Sequence, residues 1–518
     1  MAITLSREAI ADALAELRGV SAELYDVTRV IELLGWDQET MMPPKGVTPR
    51  ALQQATLSGV YHERLTQPRL GELLKRLAEP AADPGSGMTD VERALVRETR
   101  RAHEREVKIP AELVKELARA TSEAQATWVR ARAESDWSLF RDDLERIMAL
   151  KRRVAEHVGY RGEPYDALLD EYEPGAEAAQ LRTLFADLRR ETVDLIGRVQ
   201  RQGRPVDRGL LEREYDLDRQ WSLSEESLRW IGFDLEAGRL DRSAHPFASH
   251  FAPSDVRLTT RLHQRDFGQA FFGTLHEGGH GLYEQGIGEA VQRSLIGGGV
   301  SLGVHESQSR LWENFVGRGL PFWRFALPKA AALFPEQLGG VDVEAFWRAA
   351  NHVQPSPIRV EADEVTYNLH VVLRFELESA LFSGQLKVDE LPSAWNEKMQ
   401  QLLGILPEND AVGVLQDIHW AFGLVGYFPT YTLGNVYAAQ LWDAIGRDLP
   451  DRDARIEQGD MAPILAWLRE RIHQHGGTYL PDELIRRATG AAPSADHLVR
   501  YLNQKYAAVY DLPEPERT

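Results

Sequence analysis

Apolar positions recur at the spacing of an α-helix along most of the chain. Near the N-terminus, for example, Ile10, Leu14 and Leu17 fall on one helical face. The same spacing predicts helices at 6–32, 48–78, 90–107, 110–158, 176–202, 208–231, 267–283, 305–318, 341–351, 360–382, 394–403, 411–423, 432–446 and 460–473. We therefore predict a mainly α-helical protein.

One segment, residues 255–262, alternates between apolar and polar positions instead. Val256 and Leu258 alternate with Arg257 and Thr259, which is the two-residue period of a strand with one buried face. The segment directly precedes the helix predicted at 267–283. We expect a small β-sheet near the middle of the chain.

Composition excludes several classes of protein. The 518 residues include 60 Lys and Arg against 79 Asp and Glu, a formal net charge of −19, so we expect no nucleic-acid partner. No apolar run approaches the ~18 residues of a membrane span, and Glu8 interrupts the stretch that a secretory signal would keep apolar. Because the chain has no cysteine, any metal must be held by histidines and carboxylates. We expect a cytoplasmic protein with no membrane partner.

The segment His276-Glu277-Gly278-Gly279-His280 carries the clearest chemistry. Residues four apart lie on one helical face, so His276 and His280 can present both imidazoles to one metal ion. Glu277 can then reach a water molecule at that ion and act as a general base. Two adjacent glycines are unfavourable in a helix and suggest that another backbone or a substrate approaches closely. The alternative interpretation is a helix with two unrelated histidines.

A third metal ligand decides the type of metallopeptidase. Metzincins place a glycine and a histidine three and six residues after the second histidine, and this chain has neither. The remaining arrangement takes a glutamate, for which the candidates are Glu284, Glu289, Glu306 and Glu313. Glu284 lies on the same helix as both histidines, and one straight helix cannot easily place three ligands ~2 Å from one ion. We predict Glu306 as the ligand, with Glu313 as the fallback. The alternative for Glu306 is that it binds no metal and is simply an acidic residue at a helix N-terminus, where the helix dipole favours negative charge.

Further motifs accompany this segment along the chain. They are His-Pro-Phe at 245–247, Asp-Val-Arg-Leu-Thr at 255–259, His-Glu-Ser-Gln at 305–308, Ile-Arg-Val-Glu-Ala-Asp at 358–363 and Gly-Val-Leu-Gln-Asp-Ile-His-Trp at 413–420. With these motifs the sequence resembles the carboxypeptidase Taq family of metallocarboxypeptidases over essentially its whole length. The resemblance implies a mainly α, saddle-shaped, zincin-like peptidase with a deep groove and a small β-sheet near the active site, similar to neurolysin and angiotensin-converting enzyme.

The resemblance also implies the activity and the assembly. We expect a homodimer with one Zn²⁺ per subunit, replaceable by Co²⁺. It would release C-terminal amino acids with broad specificity from peptides that have a free C-terminal carboxylate, with C-terminal proline disfavoured. Polar breaks at 80–87 and 201–208 are short. We therefore predict a single domain over 1–518, in which about 1–205 forms a groove wall and about 206–518 contains the metal site.

Reading a free carboxylate in a desolvated pocket calls for arginine, whose planar fork matches both carboxylate oxygens. Arg359 is the first candidate, and the resemblance supports it because the 358–363 motif contains this residue. Arg257, on the polar face of the predicted strand, is the second. An ion pair with Glu361 or Asp363 is the alternative for Arg359.

The tetrahedral intermediate of peptide hydrolysis also needs hydrogen-bond donors. By similarity to related helical peptidases, we predict Tyr431 as the oxyanion donor, Tyr427 as the second choice and His419 as a substrate or oxyanion contact. The alternative for each of the three is that its ring only packs the loop and has no role in catalysis. His245 is a substrate contact on the resemblance alone.

Three questions stay open at this point. Metal-bound histidines usually donate their second N–H to a carboxylate, and the sequence does not choose between Asp255 and Asp363 for this role. A zincin oligopeptidase that cleaves internal bonds is the nearest alternative function. A helical scaffold with a vestigial site is the alternative from another class.

Overall fold

The computed structural model describes residues 6–513, and most of them are helical. The helices are α1 (Arg7–Thr40), α2 (Val47–Thr66), α3 (Pro68–Ala82), α4 (Asp90–Lys108), α5 (Ala111–Glu134), α6 (Arg141–Val158), α7 (Pro164–Tyr172), α8 (Ala178–Gln202), α9 (Leu217–Ile231), α10 (Phe267–Gln285), α11 (Leu302–Arg310), α12 (Leu320–Leu333), α13 (Pro335–Leu338), α14 (Val343–Ala350), α15 (Tyr367–Ser383), α16 (Leu391–Leu403), α17 (Pro429–Asp448), α18 (Arg452–Glu457), α19 (Ala462–Arg471), α20 (Pro481–Thr489) and α21 (Asp496–Tyr510). The strands are β1 (Gly238–Arg242), β2 (Ala248–Ala252) and β3 (Asp255–Thr260). The predicted mainly helical fold with a small sheet is confirmed.

Several predicted helices differ from the structure. The helix predicted at 48–78 is two, α2 and α3, and the helix predicted at 208–231 begins only at Leu217. The helix predicted at 411–423 is wrong, because this segment forms consecutive turns. Gly423 and Gly426 adopt φ values of +72° and +84° there, a conformation that favours glycine and does not continue a helix. The segment predicted as one helix at 110–158 is two helices, since Ser135 ends α5 at a left-handed φ of 54°.

The chain folds into two compact units, each built from three segments. Unit 1 contains the chain up to Val107, then Leu211–Gly340 and Ala444–Ala492. Unit 2 contains Lys108–Leu210, Val341–Asp443 and the chain from Pro493 onward. The division predicted near residue 205, into a groove wall and a metal-site region, stays a prediction, as does the single domain itself.

In unit 1, helix α10 packs against α9, α11, β2 and β3. The sheet has the order β1-β3-β2, with β3 parallel to β1 and antiparallel to β2. Val256 and Leu258 on β3 are fully buried, as the alternating pattern predicts. An aromatic cluster around Phe267, Phe271 and Trp323 fixes the first turns of α10. This packing holds α10 rigidly from several sides.

In unit 2, helix α15 packs against α7, α8 and α16 and is buried almost all round. His370, Arg374 and Glu378 follow one another at four-residue intervals on this helix and are all fully buried. A row of ionisable side chains inside a buried helix must find polar partners there, because unpaired buried charge is costly. Among the described residues, no helix is long and apolar enough to cross a bilayer.

Candidate active site

The two central glycines of the predicted metal helix are contact points for neighbouring helices. A Cβ added at Gly279 would lie 2.5 Å from the Gln308 carbonyl oxygen and 2.6 Å from the Cα of Ser309. A Cβ at Gly278 would lie 2.8 Å from side-chain carbons of Leu228 and Ile231. The backbone of α11 therefore lies directly on α10, and α9 packs against the adjoining face. The close approach of another backbone is confirmed.

This contact brings a carboxylate from α11 to the two histidines of α10. The Oε2 atom of Glu306 lies 3.5 Å from His276 Nε2 and 3.4 Å from His280 Nε2. Donor atoms about 3.3 Å apart are what a tetrahedral zinc with bonds of about 2.0–2.1 Å requires. The three side chains can each offer one ligand atom to a common metal ion. The residues present therefore fit a bound divalent metal.

The second ring nitrogen of His276 has a carboxylate partner. Its Nδ1 lies 2.9 Å from Oε2 of Glu313, in the π-helical turn Leu311–Val316 that continues α11. Arg310 and Arg318 donate to the same carboxylate at 3.2 and 3.4 Å. A histidine held in this way has its Nε2 oriented and made more basic for a metal. Glu313, the fallback ligand of the sequence analysis, instead contacts the Nδ1 side of His276.

The second ring nitrogen of His280 has a different partner. Its Nδ1 lies 2.5 Å from Nδ1 of His305, and Nε2 of His305 lies 2.7 Å from Oε1 of Glu284. The other oxygen of Glu284 lies 3.2 Å from Nε2 of His250 on β2. Glu284 is 3% exposed, so this series of hydrogen-bonded side chains runs through the interior of unit 1. It fixes the ring of His280 through an imidazole and a buried carboxylate.

Burial and neighbouring charges set the protonation of Glu306 and His280 in a direction that suits a metal, whereas at His276 burial is outweighed by the carboxylates of Glu306 and Glu313, which raise its pKa. Burial opposes ionisation of Glu306, but Arg310 and the two histidines hold its pKa well below the usual range. Burial and the adjacent His305 lower the pKa of His280 to about 4, which keeps it neutral. Metal ligands must be deprotonated in this way. Burial also raises the pKa of Glu277 to about 7, in the range expected of a general base.

Unit 2 contains a second buried polar cluster, centred on Asp417. Arg359 donates to its carboxylate through Nε at 3.2 Å and Nη2 at 2.9 Å. Arg374 donates to it through Nε at 2.7 Å. The Nη1 atom of Arg359 donates to the Tyr367 hydroxyl at 3.0 Å. Arg359 and Arg374 are 5% and 0% exposed, so one carboxylate is shared by two buried guanidinium groups.

The predicted oxyanion residues lie beside Arg359 in the same unit. The Arg359 guanidinium carbon lies 4.9 Å from the centre of the Tyr431 ring, and the Tyr431 hydroxyl lies 3.5 Å from Nε2 of His419. Tyr427 stacks edge-on against Tyr431 with ring centroids 5.5 Å apart. Burial lowers the pKa of His419 to about 4. The structure therefore brings these four predicted residues together.

Comparison with known proteins gives the family. The sequence model described as carboxypeptidase Taq (M32) metallopeptidase matches residues 16–506. The chain belongs to this metallopeptidase family. A relative, thermostable carboxypeptidase 1 of Thermus thermophilus, is 47% identical over 489 residues, which cover 92% of this chain and 95% of the relative. Carboxypeptidase 1 of Bacillus subtilis is 39% identical over 96% of this chain and 99% of its own.

Solved structures agree with the sequence comparison. The crystal structure of the M32 carboxypeptidase from Deinococcus radiodurans has a TM-score of 0.93 and 39% identity, covering 97% of this chain and 100% of the other. The predicted resemblance is thus confirmed, and the protein is a metallocarboxypeptidase. Family membership implies a divalent metal cofactor and peptide substrates.

The remaining predicted residues of this metallocarboxypeptidase have partners other than His276, His280 and Glu306. Arg257 forms a bidentate pair with Asp255 on its own strand, at 3.0 and 3.1 Å, and stacks on the Trp36 ring at 4.4 Å. His245 is exposed between β1 and β2. Asp363 accepts hydrogen bonds from the backbone amides of residues 354, 365 and 366. Neither Asp255 nor Asp363 therefore holds a metal histidine.

Sequence reasoning missed several contacts within these two buried clusters. Two of these contacts had a signal in the sequence, because Glu313 and His305 both lie close to Glu306. A search of the acids and histidines near Glu306 could have suggested Glu313 as the partner of His276 and His305 as the partner of His280. Arg374 had no signal, because it lies outside every motif and its partner Asp417 is 43 residues away.

Proposed function

We propose that this metallocarboxypeptidase uses zinc and releases single amino acids from the free C-terminus of peptides. Broad specificity, with C-terminal proline disfavoured, and acceptance of Co²⁺ belong to the same proposal. The observation that carries it is the spacing of three donor atoms. The Oε2 atom of Glu306 lies 3.5 Å from Nε2 of His276 and 3.4 Å from Nε2 of His280. That spacing suits a small tetrahedral ion. A homodimer and a cytoplasmic location stay predictions.

Glu277 is the proton carrier of the proposed reaction. When bound, the zinc would supply Lewis acidity that lowers the pKa of a water molecule and polarises the scissile carbonyl. Glu277 accepts one proton from that water as it attacks, and donates the proton to the departing amine nitrogen. Its burial beside His276 and its raised pKa support both steps, since a group that titrates near 7 can both take and give a proton.

Arg359 reads the C-terminal carboxylate and Tyr431 steadies the oxyanion in this proposal. A buried guanidinium keeps its charge and offers a planar pair of donors. The Tyr431 hydroxyl, close to His419, is a neutral donor of the kind that stabilises a developing negative charge. His419, Tyr427, His245 and Arg257 are further proposed substrate contacts.

The proposal is tested with a free-acid peptide and its C-terminal amide, followed by mass spectrometry. We expect stepwise loss of single C-terminal residues from the acid alone. Chelation by EDTA should abolish the reaction, and Zn²⁺ or Co²⁺ should restore it. Internal cleavage of both peptides would instead assign an oligopeptidase, and absence of both cleavage and bound metal would favour a scaffold.

A further inference from the structure

Arg374 has no role in the mechanism described above, yet it is among the most deeply buried charges of unit 2. It is 0% exposed on helix α15. Its Nε donates to Asp417 Oδ2 at 2.7 Å and its Nη1 to the His370 carbonyl at 2.7 Å. A buried arginine is retained only where its charge is paired, and Arg374 shares its one paired carboxylate with Arg359.

Asp417 leaves part of the Arg359 guanidinium available. It occupies the Nε hydrogen and one Nη2 hydrogen, while Tyr367 accepts one Nη1 hydrogen. Guanidinium carries five N–H donors. One hydrogen on each terminal nitrogen therefore remains for a ligand. Guanidinium donors of this kind suit a carboxylate.

The charge of the cluster determines whether those donors attract an anion. If Arg359 and Asp417 were alone, their charges would cancel. Arg374 adds a second positive charge on the far side of Asp417. The neighbouring His370 and His419 add none, because burial lowers the pKa of both. Glu378, one turn along α15, accepts hydrogen bonds from Tyr165, Trp420 and the Gly426 amide, and burial raises its pKa, which opposes a negative charge beside Arg374.

We propose that Arg374 is a positioning residue that gives the enzyme its preference for a free carboxylate. By pairing with Asp417, it leaves Arg359 with uncompensated positive charge while Asp417 holds the plane of the Arg359 guanidinium. The inference rests on the proposed reading of the C-terminal carboxylate by Arg359. It predicts that selectivity depends on the charge balance of three buried side chains and not on Arg359 alone.

The test compares inhibition constants of 3-phenylpropanoate, as the acid, and 3-phenylpropanamide, as the amide, which have no peptide bond to cleave and are measured as competitive inhibitors of hydrolysis by the zinc-loaded enzyme. In Arg374→Met the preference for the acid should fall about 10- to 100-fold, the range expected for losing a charge-assisted interaction. Binding of the amide should change little. Arg374→Lys, which keeps the charge, should recover most of the preference.

A double variant separates charge balance from simple packing. Asp417→Asn combined with Arg374→Met again leaves Arg359 with one uncompensated charge and leaves no unpaired carboxylate. The ratio of acid to amide affinity in the double variant should be larger than in Arg374→Met. If Arg374→Met does not fold, the double variant is compared with the wild type instead, and its ratio should be close to the wild-type ratio. Equal weakening of acid and amide, or a double variant that has lost the preference, would overturn the role of Arg374.

Arg359→Met is measured alongside to distinguish the two levels of the proposal. If Arg359→Met loses the acid preference while Arg374→Met keeps it, Arg359 reads the carboxylate and the inference about Arg374 is wrong. If Arg359→Met itself keeps the preference, the reading of the carboxylate by Arg359 is overturned, and the role of Arg374 with it.

Discussion

Substituting Gly279 by alanine tests whether the contact between α10 and α11 builds the metal site. The added Cβ would lie 2.5 Å from the Gln308 carbonyl oxygen, whereas an ordinary contact is about 3.4 Å, so α11 must move by about 0.9 Å. Glu306 lies two residues before Gln308 on that helix. Metal-ligand distances are held within about 0.2 Å. We therefore expect Gly279→Ala to weaken zinc binding at least tenfold.

Gly273→Ala is the matched control, because it lies on the same helix and its Cβ would meet nothing within 4 Å. Both substitutions gain about 1 kcal/mol of helix propensity, so the difference between them isolates the clash, about 1–3 kcal/mol. Zinc affinity is measured by competition with a chromophoric chelator, and thermal unfolding of the metal-free proteins is compared. Equal zinc affinity and equal thermal stability in the two variants would refute the argument.

Three further predictions concern the groups around the metal. Glu277→Gln should bind zinc normally, by metal analysis, and lose ~10³-fold or more in kcat; near-normal turnover would exclude Glu277 as the proton carrier. Glu313→Gln should weaken zinc binding about 10- to 100-fold, because His276 loses its anionic partner; unchanged affinity in chelator competition would contradict this. Burial raises the pKa of Glu277 to about 7 and a bound cation lowers it again, so kcat/KM should fall as the pH drops through a value below about 7, where Glu277 takes up a proton and can no longer act as a base. That acidic limb of the pH profile should be absent from the residual activity of Glu277→Gln.

The grouping of the candidate metal donors was predictable because local geometry fixes it. Helical periodicity alone places His276 and His280 on one face, and two glycines between them indicated a close neighbour. The choice of Glu306 was harder, since Glu313 lies seven residues later, about two helical turns, and points to the same side. Only the distances distinguish them, as Glu306 faces the Nε2 atoms and Glu313 faces Nδ1 of His276.

The turns at 411–423 show why the surroundings of Arg359 could not be predicted. Val414, Leu415 and Ala421 are buried, and their spacing imitates a helix although glycines bend the chain. The same segment contains Asp417, which pairs with Arg359 across 58 residues. Our local alternatives for the partner of Arg359, Glu361 and Asp363, were therefore both wrong. Contacts between distant segments leave no periodic trace in one sequence.

Both buried clusters use the same physical arrangement, in which the protein fixes one side of a charged group and leaves the other side for a ligand. Arg310 donates to Oε1 of Glu306 at 2.7 Å, while Oε2 faces the two histidines. Asp417 likewise occupies the Nε edge of Arg359 and leaves its terminal hydrogens. Such pairing lowers the cost of burying the charge and fixes its direction before a ligand arrives, so less ordering is needed on binding. Removing the fixing partner should therefore harm binding even where the ligating atom itself is unchanged.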